Sequence, residues 1–253
     1  MMQVKTCCRN VLFVTSCLLA AVGSLVVADA AHAQCVSLTA PGSASTQNFD
    51  TLSNTAGSTT NNLTITGWFL TETGGSATRD NEQYGVDNGG SNSGDTYSYG
   101  VTSSTERALG GLRSGTLIPV FGACFTNNTG VALASFAVAY TGEEWRLGTA
   151  ARAIPDRLDF EYSTNATDLA TGTWTGVDEL DFPTPGNAAP TGNKDGNAAG
   201  FKTAISSTFT TTIAAGATFW IRWTDLDASS SDDGLAVDDF SLTPNAAVVP
   251  TTA

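Results

Sequence analysis

Carboxylates crowd one stretch near the end of the chain, where six aspartates fall within fifteen residues (Asp225, Asp227, Asp232, Asp233, Asp238 and Asp239). Like charges held close together repel one another unless a cation lies between them. Calcium suits such a set, because it takes six to eight oxygen ligands in flexible geometry. We therefore predict a calcium site with ligands from Asp225, Asp227, Asp233 and Asp238. Asp238 is the strongest candidate because it enters a strand among apolar neighbours; the alternative is a solvated polar loop.

A second acidic stretch runs from Asp80 to Asp95 and is rich in Asn, Gly and Ser. Its glycines do not follow the order of a repeat-type calcium turn, so the composition indicates a mobile acidic loop. Tyr84 lies within this loop. We predict either an exposed ligand-binding platform or a loop anchor at this tyrosine.

Two adjacent glutamates, Glu143 and Glu144, lie three and two positions before Arg146. A pair of carboxylates is the usual machinery of glycosidases. Adjacent residues of a strand point to opposite faces, so these two cannot form that pair themselves. A partner such as Glu161 or Asp225 would have to be supplied by the fold. The competing interpretation is an arginine–carboxylate pair that fixes a strand end.

Aromatic side chains are the other chemistry available, because exposed rings bind sugars by stacking on their apolar faces. Most of the tryptophans are expected in the core (Trp68, Trp145, Trp174, Trp220 and Trp223). Trp174 is flanked by Thr and Gly and is our candidate for an exposed ligand-binding residue. Arg146 and Arg222 each sit beside a tryptophan, where an arginine can stack and also pair with a carboxylate. The alternative is two unrelated surface arginines.

Imidazole chemistry is excluded by the position of the one histidine, His32. Residues 1–33 have a basic start, an apolar run from Val11 to Val27 and a small-x-small end, which is typical of a cleaved secretory signal. The mature chain would then contain no histidine for a nucleophile or a zinc site. The apolar run of 17 residues is short for a membrane span. We therefore expect a secreted protein without integral membrane contact.

Cysteine and charge add two further expectations. Removal of the signal leaves Cys35 and Cys124, and two cysteines in an oxidising compartment are expected to form a disulfide; the alternative is a buried Cys124 and a free Cys35. Without Lys5, Arg9 and Asp29, the 11 basic and 24 acidic residues fall to 9 and 23. Such an acidic surface repels phosphate backbones, so we expect no nucleic-acid partner.

These residues must be positioned by β-strands, since β-rich segments alternate with turn residues and long helical periodicity is absent. Leu158–Tyr162, for example, alternates inward apolar and outward acidic residues. We predict a two-sheet antiparallel β-sandwich of jelly-roll type over residues 48–243, with a polar lead-in at 34–47 and a tail or linker at 244–253. The predicted strands are 63–70, 95–99, 117–126, 131–140, 158–162, 172–177, 201–213, 218–224 and 234–242.

The segment Gly234–Leu242, with its hydrophobic-Asp-Asp-hydrophobic pattern, resembles the last strand of jelly-roll carbohydrate-binding modules. The resemblance implies a structural calcium shared by this late aspartate, Asp238, and an acid of an early strand. The early acid here would be Asp50, within the segment Asn48–Leu52.

A longer resemblance covers most of residues 48–243 and is to a β-sandwich module of secreted or surface-anchored bacterial proteins, some with nuclease or adhesin-like domains. The matching segments are Phe49–Leu52, Arg107–Gly110, Asn127–Gly130, Tyr140–Arg146, Phe160–Ser163, Asp195–Asn197 and Trp220–Asp225. The resemblance implies the module and no particular activity.

Together these patterns predict a non-catalytic extracellular binding or adhesion module, calcium-stabilised, whose partner is a polysaccharide or matrix component. One alternative is a structural or accessory domain without a specific ligand. The other is a carboxylate-dependent glycan hydrolase or lyase. A groove with exposed aromatics favours binding, and two inward carboxylates about 5–10 Å apart favour hydrolysis.

Overall fold

The computed structural model describes residues 34–74 and 79–247. The predicted signal segment, residues 1–33, lies outside the described residues. Within the described part, fifteen strands and one 3₁₀ turn (Asp178–Leu180) are present, which confirms the all-β prediction. No described helix has the length and apolar character needed to cross a membrane.

Strands, numbered in chain order, form two sheets. The seven-stranded sheet contains β1 (Val36–Leu38), β3 (Trp68–Thr73), β7 (Ile118–Asn127), β9 (Arg157–Ser163), β10 (Thr175–Gly176), β11 (Phe182–Pro183) and β14 (Thr218–Asp225). The eight-stranded sheet contains β2 (Ser45–Gln47), β4 (Gly85–Asp87), β5 (Asp95–Tyr99), β6 (Ala108–Leu112), β8 (Leu133–Leu147), β12 (Gly192–Asn193), β13 (Lys202–Ile213) and β15 (Gly234–Ala246).

The neighbour order is β1-β7-β14-β9-β10 in the first sheet, where β3 also pairs with β7 and β11 with β9. In the second sheet it is β12-β8-β15-β6-β5-β4, where β13 also pairs with β8 and β2 with β15. The two-sheet antiparallel sandwich is confirmed, with two exceptions at sheet edges, where β1 runs parallel to β7 and β4 parallel to β5. The predicted lead-in at 34–47 belongs to the sandwich, since it supplies β1 to one sheet and β2 to the other.

The core lies between the sheets and is centred on Trp223, which is fully buried. Its ring stacks near Trp68 of the same sheet, 6.1 Å away, and meets Phe240 of the other sheet at 5.8 Å. Along β14 the inward residues alternate with Trp220 and Arg222 on the outer face. Truncation of such a buried tryptophan costs about 3–5 kcal/mol, so this layer supplies a large part of the stability.

Both sheets also carry apolar side chains on their outer faces, where an antiparallel sandwich is usually polar. The outer cluster of the seven-stranded sheet contains Cys124, Ala166, Leu169 and Trp220, with Cys35, Phe69, Val120 and Trp174 packed against it. The outer cluster of the eight-stranded sheet contains Tyr97, Tyr99, Ala108, Leu112, Trp145 and Ala236. These two outer faces carry the side chains that the next section describes.

Candidate functional site

Aromatic residues cross the outer face of the seven-stranded sheet. Phe69 on β3 lies opposite Gly122 on β7, which lies opposite Arg222 on β14. A Cβ atom at Gly122 would lie 2.1 Å from the Ile221 carbonyl oxygen, so only glycine fits there. The Phe69 and Trp220 rings meet on this face with their centroids 4.9 Å apart.

Arg222 lies on the same face, beside Trp174. Its guanidinium lies 4.0 Å from the centre of the Trp174 ring, and its Nε donates to Glu161 Oε2 at 2.7 Å. Its Nη1 donates to the Leu169 carbonyl at 2.6 Å. The stacked and paired arrangement predicted for Arg222 is present, whereas Arg146 donates to the carbonyls of Gly89 and Gly90 and belongs to the other sheet.

Trp174 is partly exposed, and its indole Nε1 donates to the Thr171 carbonyl at 2.8 Å. Phe69 is also partly exposed, while Trp220 is only 7% exposed. We call Phe69, Trp174 and Trp220 the aromatic strip. The sequence identified Trp174 as a ligand-binding candidate but not Phe69, which looked like any other apolar residue of a β-rich segment.

Cys35 and Cys124 form a disulfide with Cα atoms 4.8 Å apart. Because Cys124 belongs to the outer cluster of the seven-stranded sheet, the bond holds the start of β1 against β7 beside the aromatic strip. In the chain-entropy description, a bond that closes a loop of 89 residues contributes about 4.6 kcal/mol.

Tyr84 is not a ligand platform. It is 4% exposed and packs in the main core, and its hydroxyl accepts a hydrogen bond from the Ser53 amide at 2.9 Å. Its backbone also pairs with Asn61. The prediction of an exposed ring was therefore wrong, and the alternative prediction of a loop anchor matches the structure.

Three carboxylates meet at one edge of the outer cluster on the eight-stranded sheet. Glu106, Glu143 and Asp238 each place a carboxylate oxygen so that all three lie within 4.8 Å of one another. Asp238 is on β15, which lies between β6 and β8; Glu143 is on β8, and Glu106 lies two residues before β6. We call these three side chains the carboxylate centre.

The carboxylate centre is buried and only partly satisfied. Glu143 Oε2 accepts a hydrogen bond from Trp145 Nε1 at 2.9 Å, and Asn197 Nδ2 donates to Glu106 Oε2. Asp238 Oδ1 and Glu106 Oε1 are buried without a hydrogen-bond partner among the described residues. Desolvation raises the pKa of Glu143 to about 7 and that of Asp238 to about 8, and in Asp238 the neighbouring Glu143 charge adds to the effect.

The other predicted metal ligands do not join this group. In the described ranges it is the only group of three or more potential ligands this close, and it contains Asp238 but not Asp50, Asp225, Asp227 or Asp233. Asp50 is exposed, and its Oδ1 atom accepts a hydrogen bond from the Arg107 amide at 3.2 Å.

Asp233, Asp225 and Asp227 have arginine partners instead. Asp233 Oδ1 accepts from Arg152 Nη1 at 2.8 Å. Asp225 Oδ2 accepts from the Arg113 amide at 3.1 Å, and Asp227 is largely exposed and pairs with the Arg113 side chain at 3.3 Å. Asp238 is thus separated from the other three aspartates, because the pairing of β15 with β8 places it beside Glu143.

Glu143 and Glu144 point to opposite sides of β8, as expected for adjacent strand residues. Glu144 Oε2 accepts from the Gly186 amide at 2.7 Å, away from the carboxylate centre, and desolvation raises its pKa to about 7. Glu161, predicted as one possible partner, lies on the other sheet and pairs with Arg222. The paired-acid arrangement considered for this segment is therefore not formed with Glu161.

No protein-family model and no curated protein matches the chain. Among solved structures, a xylan-binding domain from Paenibacillus barcinonensis is 9% identical with a TM-score of 0.39, over 83% of this chain and 100% of that one. An adhesin domain of Lys-gingipain from Porphyromonas gingivalis is 10% identical with a TM-score of 0.37, over 80% and 93%. A xylanase fragment from Clostridium thermocellum, complexed with xylohexaose, is 11% identical with a TM-score of 0.33, over 85% and 30%. At this level of similarity none of them assigns a ligand to this chain.

Proposed function

We propose that this protein is an exported, non-catalytic binding module for an extracellular glycan or matrix polymer. In this proposal the ligand lies along the aromatic strip on the outer face of the seven-stranded sheet. One observation carries the proposal: two partly exposed aromatic rings, Phe69 and Trp174, flank a fixed Arg222–Glu161 pair on a face that is usually polar.

The chemistry of this face suits a sugar polymer. Aromatic rings stack on the apolar faces of pyranose rings, and charged groups held in place donate to or accept from hydroxyls. A concavity of about 390 Å³ adjoins Phe69 and is lined by residues 62–66, Trp68 and Glu82. A chain that stacks on Phe69 has room beside it for a neighbouring residue of the polymer.

Catalysis is not part of this proposal. Glu143 and Asp238, two carboxylates of the carboxylate centre, are buried and offer no surface for a scissile bond. Glu161, the carboxylate beside the aromatic strip, is held by Arg222 at 2.7 Å. Neither arrangement presents an acid and a base on either side of a sugar ring.

One observation favours the second candidate, a structural or accessory domain without a specific ligand. Trp220 is almost fully buried, and Ala166 and Leu169 pack around it. A small second core under the loop that joins β9 to β10 would have the same contacts, so they can be explained without a ligand.

Retention on immobilised polysaccharides tests the proposal. The purified protein is passed over a panel of insoluble and immobilised glycans, and released sugar is assayed in parallel. We expect retention on at least one polymer without sugar release. Phe69→Ala and Trp174→Ala should each weaken retention about tenfold, which corresponds to about 1.4 kcal/mol per lost stacking contact.

Phe201→Ala is the matched control, because Phe201 is a partly exposed ring with the Lys194 ammonium 5.8 Å from its centre. It should leave retention unchanged. Equal losses in all three variants would remove the aromatic strip as the binding face. Retention on no polymer would favour the structural domain, and released sugar would contradict the non-catalytic assignment.

A further inference from the structure

The carboxylate centre is built by three segments that are distant in sequence. β15 lies between β6 and β8, and this pairing brings Glu106, Glu143 and Asp238 together on the outer face of the eight-stranded sheet. The register shift between Asp238 and Ser241 breaks the alternation of β15, so Asp238 faces outward and Phe240 inward although they are two residues apart.

The centre has unused acceptors in a buried place. Asp238 is 6% exposed, and its Oδ1 atom finds no hydrogen-bond partner in the described part of the chain. Glu106 Oε1 is in the same state. The ion pairs found between described residues involve none of the three carboxylates. Lys202 lies opposite Glu143 on β13, but it is exposed.

We infer that the carboxylate centre binds one calcium ion between Glu106, Glu143 and Asp238. Calcium ligands lie about 2.3–2.6 Å from the ion, so two oxygens of one shell are at most about 5 Å apart. The three oxygens here fall within 4.8 Å of one another. All donors are oxygens and all are acidic, which suits a hard divalent cation.

Calcium fits this centre better than magnesium. Magnesium demands near-octahedral geometry with oxygens at about 2.0–2.1 Å, and it usually keeps several waters. Two of the three side chains here are almost fully buried, and only the half-buried Glu106 opens the centre to solvent. A larger ion with flexible coordination matches three fixed side chains and a small number of waters on the Glu106 side.

This inference goes beyond the glycan-binding proposal and does not depend on it. The carboxylate centre and the aromatic strip lie on different sheets. Calcium binding and glycan retention can therefore fail separately, and variants of one site leave the other in place.

Calorimetric titration and thermal unfolding of the purified protein, stripped of metal with a chelator, test the inference. We expect one calcium ion per chain. At a free calcium concentration about 100-fold above the Kd, the melting temperature should rise by about 5–10 °C, because an ion bound only to the folded state stabilises it by mass action. Asp238→Asn, and Glu106→Gln at a half-buried position, should each weaken calcium binding at least about tenfold.

Asp239→Asn is the matched control, since it removes the same charge one residue away at an exposed position. It should leave calcium affinity unchanged. In chelator, Asp238→Asn should melt no lower than the unsubstituted protein, because asparagine keeps the side-chain shape and places no carboxylate beside Glu106 and Glu143; a residue needed only for a structural hydrogen bond would lower the melting temperature.

Three results would overturn the inference: no saturable calcium binding, calcium binding that survives unchanged in both Asp238→Asn and Glu106→Gln, or a melting temperature that does not respond to calcium. An equal or higher affinity for magnesium would overturn the assignment to calcium.

Discussion

Asp233 and Asp238 are five positions apart and both are buried, but they meet different partners. Asp233 Oδ1 accepts from the Gly148 amide at 2.7 Å and from Arg152 Nη1 at 2.8 Å, and its Oδ2 accepts from Thr184 Oγ1 at 2.7 Å. Asp238 leaves one oxygen without a hydrogen bond and has two acidic neighbours. One carboxylate is compensated by groups of the chain itself, and the other lacks that compensation.

The same difference separates the two groups to which these aspartates belong. We call Arg152, Asp156 and Asp233 the arginine-centred cluster; there the Asp156 oxygens accept from the amides of Arg157 at 2.9 Å and Asp233 at 2.7 Å. Among the described residues no ion pair joins a cation to the carboxylate centre, and Lys202, opposite Glu143, is exposed. Buried charge is tolerated only when it is paired or coordinated. In the first group Arg152 supplies a buried cation for Asp233, although desolvation raises the pKa of the neighbouring Asp156 to about 7. The second group has no buried cation and needs a proton or an ion from solution.

Among the substitutions proposed here, Arg152→Met should cause the largest loss of stability. It removes the cation of the arginine-centred cluster and leaves Asp233 and Asp156 buried without it. Loss of one partner of a buried pair costs about 3–5 kcal/mol, and we expect this decrease in the free energy of unfolding in urea titrations. If the variant does not fold, Arg152→Lys keeps the charge without the planar fork and should give a smaller decrease.

Arg157→Met is the control for this substitution. The Arg157 side chain is 42% exposed and pairs with Asp159 at the surface, where ion pairs contribute less than about 1 kcal/mol. A decrease for Arg152→Met no larger than for Arg157→Met would show that the cluster does not depend on its arginine.

The strands were largely predictable, because alternation along the chain is a local signal. The predicted strand 95–99 agrees with β5. The predicted strand 218–224 begins with β14 and ends one residue before the end of β14. The strand predicted from residue 63 begins at Trp68, because Gly67 has a left-handed φ of 77° and the Trp68 amide turns back to the Ile65 carbonyl. Of the two- and three-residue strands only β10 falls within a predicted strand, 172–177, since segments this short carry no periodicity. The five-residue strand β6 was also missed.

The candidate sites were predictable only in part. Asp238 and Trp174 could be found from local context, an aspartate among apolar strand residues and a tryptophan between small ones. Glu106 and Phe69 could not, because their roles arise from pairing between strands: β6 with β15, and β3 with β7. The residue pattern of one strand does not reveal its register against another, so neither Glu106 nor Phe69 could be assigned to its site from the sequence.

Glu144→Gln sharpens the comparison with a buried carboxylate that belongs to neither group. Glu144 is fully buried, and desolvation raises its pKa from 4.5 to about 7. Between these two pH values the folded state holds a proton that the unfolded state releases. The contribution of Glu144 to the free energy of unfolding is therefore greatest below about pH 4.5 and is lost as the pH rises through 7. Glutamine cannot ionise and still accepts from the Gly186 amide.

We expect Glu144→Gln to be more stable than the unsubstituted protein by on the order of 1 kcal/mol at pH 8, with no difference near pH 4.5. Urea titrations at several pH values measure this, and added calcium should not alter the difference. A gain of equal size at every pH would point to packing rather than ionisation.

Arg222→Met should have the smallest effect, because its pair with Glu161 is the partly exposed counterpart of the Arg152–Asp233 pair. The side chains of Arg222 and Glu161 are 17% and 23% exposed, against 1% and 0% for Arg152 and Asp233. Methionine keeps apolar contact with Trp174 and removes the charge. In a double-mutant cycle with Glu161→Gln, we expect a coupling free energy of about 0.5–1 kcal/mol that falls as salt is added. A salt-insensitive coupling of about 3 kcal/mol would place both arginines in the same class, and burial would then no longer explain why the two pairs differ.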